Sequence, residues 1–473
     1  MASSSSSPPP PPRRTNKRIA FIHPDLGIGG AERLVVDAAM GLQSLNNDIQ
    51  IFTSHCDPTH CFEEVSSGQL AVTVYGDFLP TNLLKRFHIL FAILRQLYLV
   101  FKLVVTGEIG QYDYFIIDQL SMCVPLVSWL SRDDCRVLFY CHFPDQLLAK
   151  RTSKVKSLYR VPFDMVEEWS TGCSDVIVVN SNFTKSIFYQ TFKTLGHIKP
   201  GVIYPCVDTV EEHNQASDDE VQSFFKDCNY YLSINRFERA KNIELAIRAF
   251  HKSRKLITGK SKVRLVIAGG WDARVAENVQ YLQELTGLCD SLKLTNFTIR
   301  GKLIVMPPST DVLFLPSIRS NLKVSLIKRA QMLLYTPERE HFGIVPVESM
   351  LYRTPVLAIN FGGPLETVVN YDGSNLEEAT GYIEESNYEK WAKVMVKYWN
   401  EPQEVKTKLG DNGHDRVLAN FSRDQTSIEF MNNLTLANEH DKRFKVITWE
   451  SWGRISAVFV FVIAVVIYGY IHV

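Results

Sequence analysis

Two glutamates close the run Glu340-His341-Phe342-Gly343-Ile344-Val345-Pro346-Val347-Glu348, which follows an apolar strand pattern at Met332–Tyr335 and the polar link Thr336-Pro337-Glu338-Arg339. The first carboxylate then stands at the mouth of a strand and the second on the helix beyond, a spacing that aims two acids at one ligand. As a bare pattern E-x7-E is more often a pair of surface carboxylates. Phe342-Gly343 beside it and Gly362-Gly363-Pro364-Leu365-Glu366-Thr367 downstream argue for a site instead. Cations stand at a second strand end, in Ser233-Ile234-Asn235-Arg236-Phe237-Glu238-Arg239-Ala240-Lys241-Asn242. Arg236 and Lys241 there can meet the charge that grows on a departing anion. Gly29-Gly30 is a turn without side chains, through which backbone amides at a helix start can approach a phosphate. His142 ends a further strand pattern, where it could donate to a developing anion or orient a hydroxyl; a satisfied core histidine is the equal alternative.

The elements that position these residues alternate along the chain. Apolar runs at 18–23, 49–53, 72–75, Tyr114–Asp118, 137–142 and 176–180 are separated by helical or loop segments, and a second series follows at 230–234, 264–268, 296–300, Met332–Tyr335 and 355–359. Repeated strand–helix units predict doubly wound parallel sheets, whose ligands bind outside the carboxyl ends of the strands. The boundary between the two series falls near 205–225, giving an N-terminal domain over 18–210 and a C-terminal domain over 225–435. With 473 residues, 45% of them apolar, the chain exceeds what one core accommodates, so two domains facing across a cleft are expected. The apolar, proline-rich stretch within 302–329 reads as an inserted loop.

Lys+Arg and Asp+Glu balance at 51 each, which removes the basic field a nucleic-acid partner requires. Nine scattered cysteines without a C-x-x-C pair suit a reducing compartment without structural zinc. Residues 1–17, rich in Ser and Pro, are expected to be a disordered tail. Residues 455–473 carry no charge over a length that matches a bilayer, and Lys442, Arg443, Lys445 and Arg454 precede them, predicting a C-terminal transmembrane anchor with the domains in the cytosol. At helical spacing, segment 83–105 gathers Lys85, Arg95 and Lys102 on one side. That predicts an interfacial amphipathic helix with these cations at the membrane, a core helix being the alternative.

The acid pair in its context resembles the signature of retaining glycosyltransferases of the GT-B fold, family 4. The runs Ile22-His23-Pro24-Asp25-Leu26-Gly27-Ile28-Gly29-Gly30-Ala31-Glu32-Arg33 and Phe139-Tyr140-Cys141-His142-Phe143-Pro144-Asp145 look like the mannosyltransferases within it that add α1,3 and α1,6 mannoses to the dolichol-linked core. This resemblance spans residues 18–435. It implies two Rossmann-like domains, GDP-mannose as donor and Man(1)GlcNAc(2)-diphosphodolichol as acceptor. Glu340 would contact the transferred sugar and Glu348 the ribose hydroxyls. Phe342, Gly343, Gly29 and Gly30 would complete the donor site, Arg236 and Lys241 would grip the pyrophosphate, and His142 would join the catalytic set. Retaining transfer in this fold needs no covalent nucleophile, because a donor phosphate oxygen takes the acceptor proton. No D-x-D run is present, so neither metal nor cofactor is expected. The resemblance places the protein at the endoplasmic reticulum membrane with its catalytic domains cytosolic, and leaves other mannosyltransferases of the pathway as candidate partners. Two alternatives stand beside it: a family 4 transferase with a UDP-sugar donor and a lipid acceptor, since Glu348 reads ribose and not the base, and an inactive membrane scaffold of a glycosylation complex.

Overall fold

Short runs of β-branched and aromatic residues bounded by polar turns form buried strands, and the chain builds two sheets of them. The computed structural model describes residues 16–82, 87–149, 151, 154–209, 214–226, 228–257, 262–439, 441–443 and 456. The first sheet comprises β1 (Arg18–His23), β2 (Asp48–Thr53), β3 (Ala71–Val74), β4 (Tyr114–Asp118), β5 (Arg136–Cys141), β6 (Val176–Val179) and β7 (Gly201–Val202) in the order β3-β2-β1-β4-β5-β6-β7. The second comprises β8 (Cys228–Ile234), β9 (Lys262–Gly269), β10 (Asn296–Thr298), β11 (Val312–Pro316), β12 (Met332–Tyr335), β13 (Val356–Ile359) and β14 (Gly381–Glu384) in the order β10-β11-β9-β8-β12-β13-β14. Central strands such as β4 and β12 are buried at every position, as parallel strands covered on both faces must be. The chain divides into two compact units. One contains residues 1–179, 188–201 and 427–473, the other 180–187 and 202–426.

The strand order reverses between β1 and β4 in the first sheet and between β8 and β12 in the second. At such a switch point the connecting helices leave on opposite faces and open a crevice at the carboxyl ends of the two strands. His23 ends β1 and Asp118 ends β4. Arg236 and Lys241 follow β8, and Glu340 follows β12.

Three expectations change. Within 302–329 the loop is confined to the stretch before residue 312 and the short link 317–319. Val312–Pro316 is β11, fully buried between β9 and β10, and Ser320–Arg329 is a helix. Pro307-Pro308 precede the strand and Pro316 ends it, so proline punctuates the strand without entering its interior.

The interfacial role of Arg95 is also corrected. In the helix His88–Val105, Arg95 and Gln96 are buried. The Arg95 guanidinium donates to the Ser54 and Gly76 carbonyls at 3.0 and 3.4 Å and reaches Asp77, while the Gln96 amide donates to the Leu120 carbonyl at 2.8 Å. Loop carbonyls beyond the strand ends need donors, so the helix turns its polar stripe inward. Lys102 is half-buried over the Tyr75 ring, and Lys85 lies outside the described residues. The outward side is apolar instead: Phe101 is 58% exposed and Val105 63%, with Leu94 and Val104 beside them.

Third, Lys442 is not a free flanking charge. It is buried, and its ammonium donates to Ser128 O, Ser131 Oγ and Arg132 O at 3.0, 3.1 and 2.6 Å, closing the carboxyl end of the helix Val124–Leu130. The predicted anchor at 455–473, apart from Ser456, and residues 1–15 of the predicted tail lie outside the described residues.

Candidate active site

In the second unit the chain passes from β8 through a tight crossing to Lys241. Gly269 ends β9 at φ +143, and a Cβ there would collide with the Asn235 carbonyl, so only glycine lets the two loops cross. Thr336, just beyond β12, donates its hydroxyl to the Lys241 carbonyl at 2.7 Å and fixes that backbone beside the next strand end. The Lys241 ammonium then meets Glu340 Oε2 at 2.8 Å, both side chains 21% exposed. Burial alone would push the Glu340 carboxyl up. The Lys241 charge and hydrogen bonds from Lys241 and Tyr335 outweigh it, so the group lies below the usual range and is ionised. Arg236 is mostly exposed and pairs with Glu238 at 3.1 Å.

The loop that carries Glu340 is held by backbone contact. Gly362 at φ +72 lies against the Glu340 carbonyl, and the Gly363 amide donates to that carbonyl at 2.9 Å. A Cβ on Gly363 would collide with the backbone of Phe342. Phe342 is buried, stacked on Tyr204 with centroids 5.7 Å apart and edge-on to Phe421. The Ser181 hydroxyl donates to the His341 carbonyl at 2.7 Å. Gly343 at φ +86 caps the helix Ile344–Leu351, which carries Glu348. One Glu348 oxygen accepts from Lys323 at 2.7 Å; the other is buried without a hydrogen-bond partner among the described residues. A buried acceptor left open is suited to a hydroxyl donor from a ligand.

The first unit places its polar residues at its own switch point. His142 follows β5 and donates from Nε2 to Asp118 Oδ2 at 3.0 Å; His23 meets the same carboxylate at 2.8 and 3.0 Å. Burial pushes Asp118 up, but the His23 charge and hydrogen bonds from both histidines hold it down at about 2. Gly29 caps the helix Gly30–Ser44 with extended backbone, and the Glu32 carboxylate in its first turn lies over Gly29. An acid therefore already occupies the helix N-terminus assigned above to a phosphate.

The profile described as Glycosyltransferase Family 4 matches residues 28–211, and that described as Glycosyl transferases group 1 matches residues 214–416. The Alpha-1,3/1,6-mannosyltransferase ALG2 of Candida albicans is 64% identical over 425 residues, covering 86% of this chain and 96% of the relative. The chain belongs to the ALG2 family of alpha-1,3/1,6-mannosyltransferases. The Saccharomyces cerevisiae member is 48% identical over 93% of this chain and 88% of its own length. Among solved structures, sucrose-phosphate synthase from Thermosynechococcus elongatus superposes with a TM-score of 0.64 at 18% identity, covering 89% of this chain and 99% of that one. Anabaena HepE in complex with UDP and glucose gives 0.63 at 17%, covering 89% and 100%. At these identities the likeness speaks for the fold alone.

For this ALG2-family chain the structure joins Lys241 to Glu340 and packs Phe342, Gly343 and Glu348 into one loop–helix unit. Arg236 stands apart, tied to Glu238. Sequence reasoning missed Asp118, His23, Thr336, Ser181 and Lys323. For the first two a signal existed: each is a titratable residue at the last position of a buried apolar strand.

Proposed function

We infer that this protein is an alpha-1,3/1,6-mannosyltransferase of lipid-linked oligosaccharide synthesis that takes mannose from GDP-mannose. Its acceptor is a dolichyl-diphosphate oligosaccharide already carrying one mannose. The observation that carries this reading is the Lys241–Glu340 pair at the second unit's switch point, with an open Glu348 oxygen on the adjoining helix. Lys241, joined by Arg236 when the exposed side chain swings from Glu238, neutralises the charge that develops on the departing diphosphate. Glu340, ionised and held by Lys241 and Tyr335, faces the transferred sugar. Glu348 takes ribose hydroxyls on its open oxygen. A donor phosphate oxygen accepts the acceptor proton on the same face, so no enzyme nucleophile enters and no metal is invoked. Use of the Gly29-Gly30 amides by a phosphate requires the Glu32 carboxylate to move aside.

Attachment to the endoplasmic reticulum membrane, with the catalytic units cytosolic, belongs to the same proposal. The outward apolar side of His88–Val105 and Trp129, 62% exposed on the adjoining helix Val124–Leu130, supply a lipid-facing surface. Lys442 ties the chain to that same helix shortly before 455–473, the proposed anchor. Other mannosyltransferases of the pathway are the proposed protein partners.

The test incubates the purified full chain with GDP-mannose and a lipid-linked mono-mannosyl acceptor, beside R236A and E340A. Product carrying one and then two added mannoses is expected from wild type, with strong loss in both variants. Absence of wild-type product under conditions where a related enzyme works defeats the reading.

A further inference from the structure

At the carboxyl ends of β1, β4 and β5 the first unit assembles His23, Asp118 and His142, separated in sequence by 95 and 24 residues. His23 is fully buried. Its Nδ1 faces both oxygens of Asp118, and its Nε2 lies 3.1 Å from the Asp25 carbonyl. A carboxylate and a carbonyl only accept, so both ring nitrogens carry hydrogen and His23 is an imidazolium. Burial works against that charge; Asp118, then Glu32 and the Asp25 carbonyl, overcome it and raise the group above its ordinary value. Asp118 is thus an enclosed, ionised acceptor balanced by a buried cation.

His142 completes the cluster. Because Asp118 can only accept, His142 Nε2 carries the hydrogen of their 3.0 Å contact. The ring leans on Tyr140 with centroids 4.7 Å apart, which restrains its plane. Its other nitrogen, Nδ1, has no hydrogen-bond partner among the described residues, and the side chain is 20% exposed. In the neutral ring that nitrogen is an acceptor. It suits a hydroxyl and repels a phosphate oxygen.

We propose that Asp118 is a positioning residue that holds His142 in the Nε2–H tautomer, so that His142 Nδ1 accepts a hydrogen bond from a sugar hydroxyl, with His23 keeping Asp118 in the acceptor-only form this requires. The proposal rests on the glycosyl-transfer reading above and adds to it the residue that sets the histidine's polarity. The hydroxyl belongs either to the acceptor oligosaccharide or to the transferred sugar.

The experiment uses the full chain in detergent micelles as wild type, D118N, H142A and D118N/H142A. In D118N one acceptor oxygen becomes an NH2 donor and the charge that keeps His23 protonated is lost, so His142 Nε2–H no longer faces a fixed acceptor. Loss of kcat/KM by about 10-fold or more is expected for D118N and for H142A, the range of a buried hydrogen bond left unmade. The double variant is expected to be no worse than H142A, since both changes remove one function. A rise in KM for the lipid-linked acceptor assigns the hydroxyl to the acceptor, and a rise in KM for GDP-mannose assigns it to the donor sugar. Independently of activity, nitrogen NMR of histidine-labelled wild type, with His142 identified by its absence in H142A and read in its neutral form, should show hydrogen on Nε2, and this single tautomer should be lost in D118N. D118N within threefold of wild type, a further loss on adding D118N to H142A, or an Nδ1–H tautomer in wild type overturns the proposal. An inactive wild type defeats the mannosyl-transfer reading instead, and the tautomer measurement still decides this one.

Discussion

The two switch points solve opposite problems. In the second unit a cation and an acid stand at the mouth of the sheet, each partly open to solvent, with Arg236 exposed nearby. In the first the acid is enclosed, its charge balanced by a buried imidazolium, and a single ring nitrogen is left to face outward. Both acids lie below their usual range despite burial, yet the cations beside Glu340 stand partly or mostly exposed, whereas the one that balances Asp118 is buried. A charged mouth suits a diphosphate. A balanced interior with one directional acceptor suits a hydroxyl. In both, the residue after a key side chain is a non-glycine in the left-handed region, Gln119 at φ 58 after Asp118 and Asn242 at φ 47 after Lys241. Each such residue costs on the order of 1 kcal/mol, a strain that sites tolerate when it aims a side chain.

The contrast has measurable consequences. The largest is expected at the charged mouth: K241A and E340A should each lower kcat by about 10²- to 10³-fold in a mannosyl-transfer assay, and the double variant by less than the product of the two, because the side chains are in contact. A loss under tenfold for K241A would remove the reason to assign the chemistry to this side. Next in size is a backbone effect. G363A forces a Cβ into Phe342 and should cost about 3 kcal/mol or more of the second unit's stability in denaturant unfolding, whereas G30A in the first unit meets open space and should stay within about 0.5 kcal/mol.

A pH effect separates the units further. Burial, and secondarily the Asp145 charge, pushes Glu167 up to about 8 from 4.5, although the Asp145 and Gln146 amides donate to it at 2.6 and 3.0 Å. A raised acid binds its proton more tightly when folded. Its contribution is therefore complete below pH 4.5 and is lost as pH climbs toward 8, a slope that unfolding of the first unit followed by tryptophan fluorescence should show and that E167Q should flatten. Asp118 acts in the opposite sense: its contribution is present above pH 3.8 and lost as pH falls toward 2. The smallest expected change is at Lys323. K323M removes a partly exposed partner of Glu348 and should raise the KM for GDP-mannose by about fivefold, from about 1 kcal/mol, with kcat nearly unchanged.

Legibility differs between the sites for one reason. Glu340, Phe342, Gly343 and Glu348 lie within one short run, so their spacing announces them. Strands such as Tyr114–Asp118 and Met332–Tyr335 are readable because continuous apolar runs of that length bury both faces. β11 hid behind Pro307-Pro308, and the stripe on His88–Val105 was read outward because periodicity shows that a polar side exists without showing where it points.

From its own order of residues the chain determined two parallel sheets, the strand-end placement of its acids and cations, and the family to which it belongs, since these follow from local pattern and spacing. Only the tertiary structure decided that Arg95 and Lys442 turn inward to satisfy carbonyls, and that His23, Asp118 and His142 meet. Strand order is what brings together positions 95 and 24 residues apart, and only then does an enclosed carboxylate choose which histidine carries charge and which nitrogen stays open.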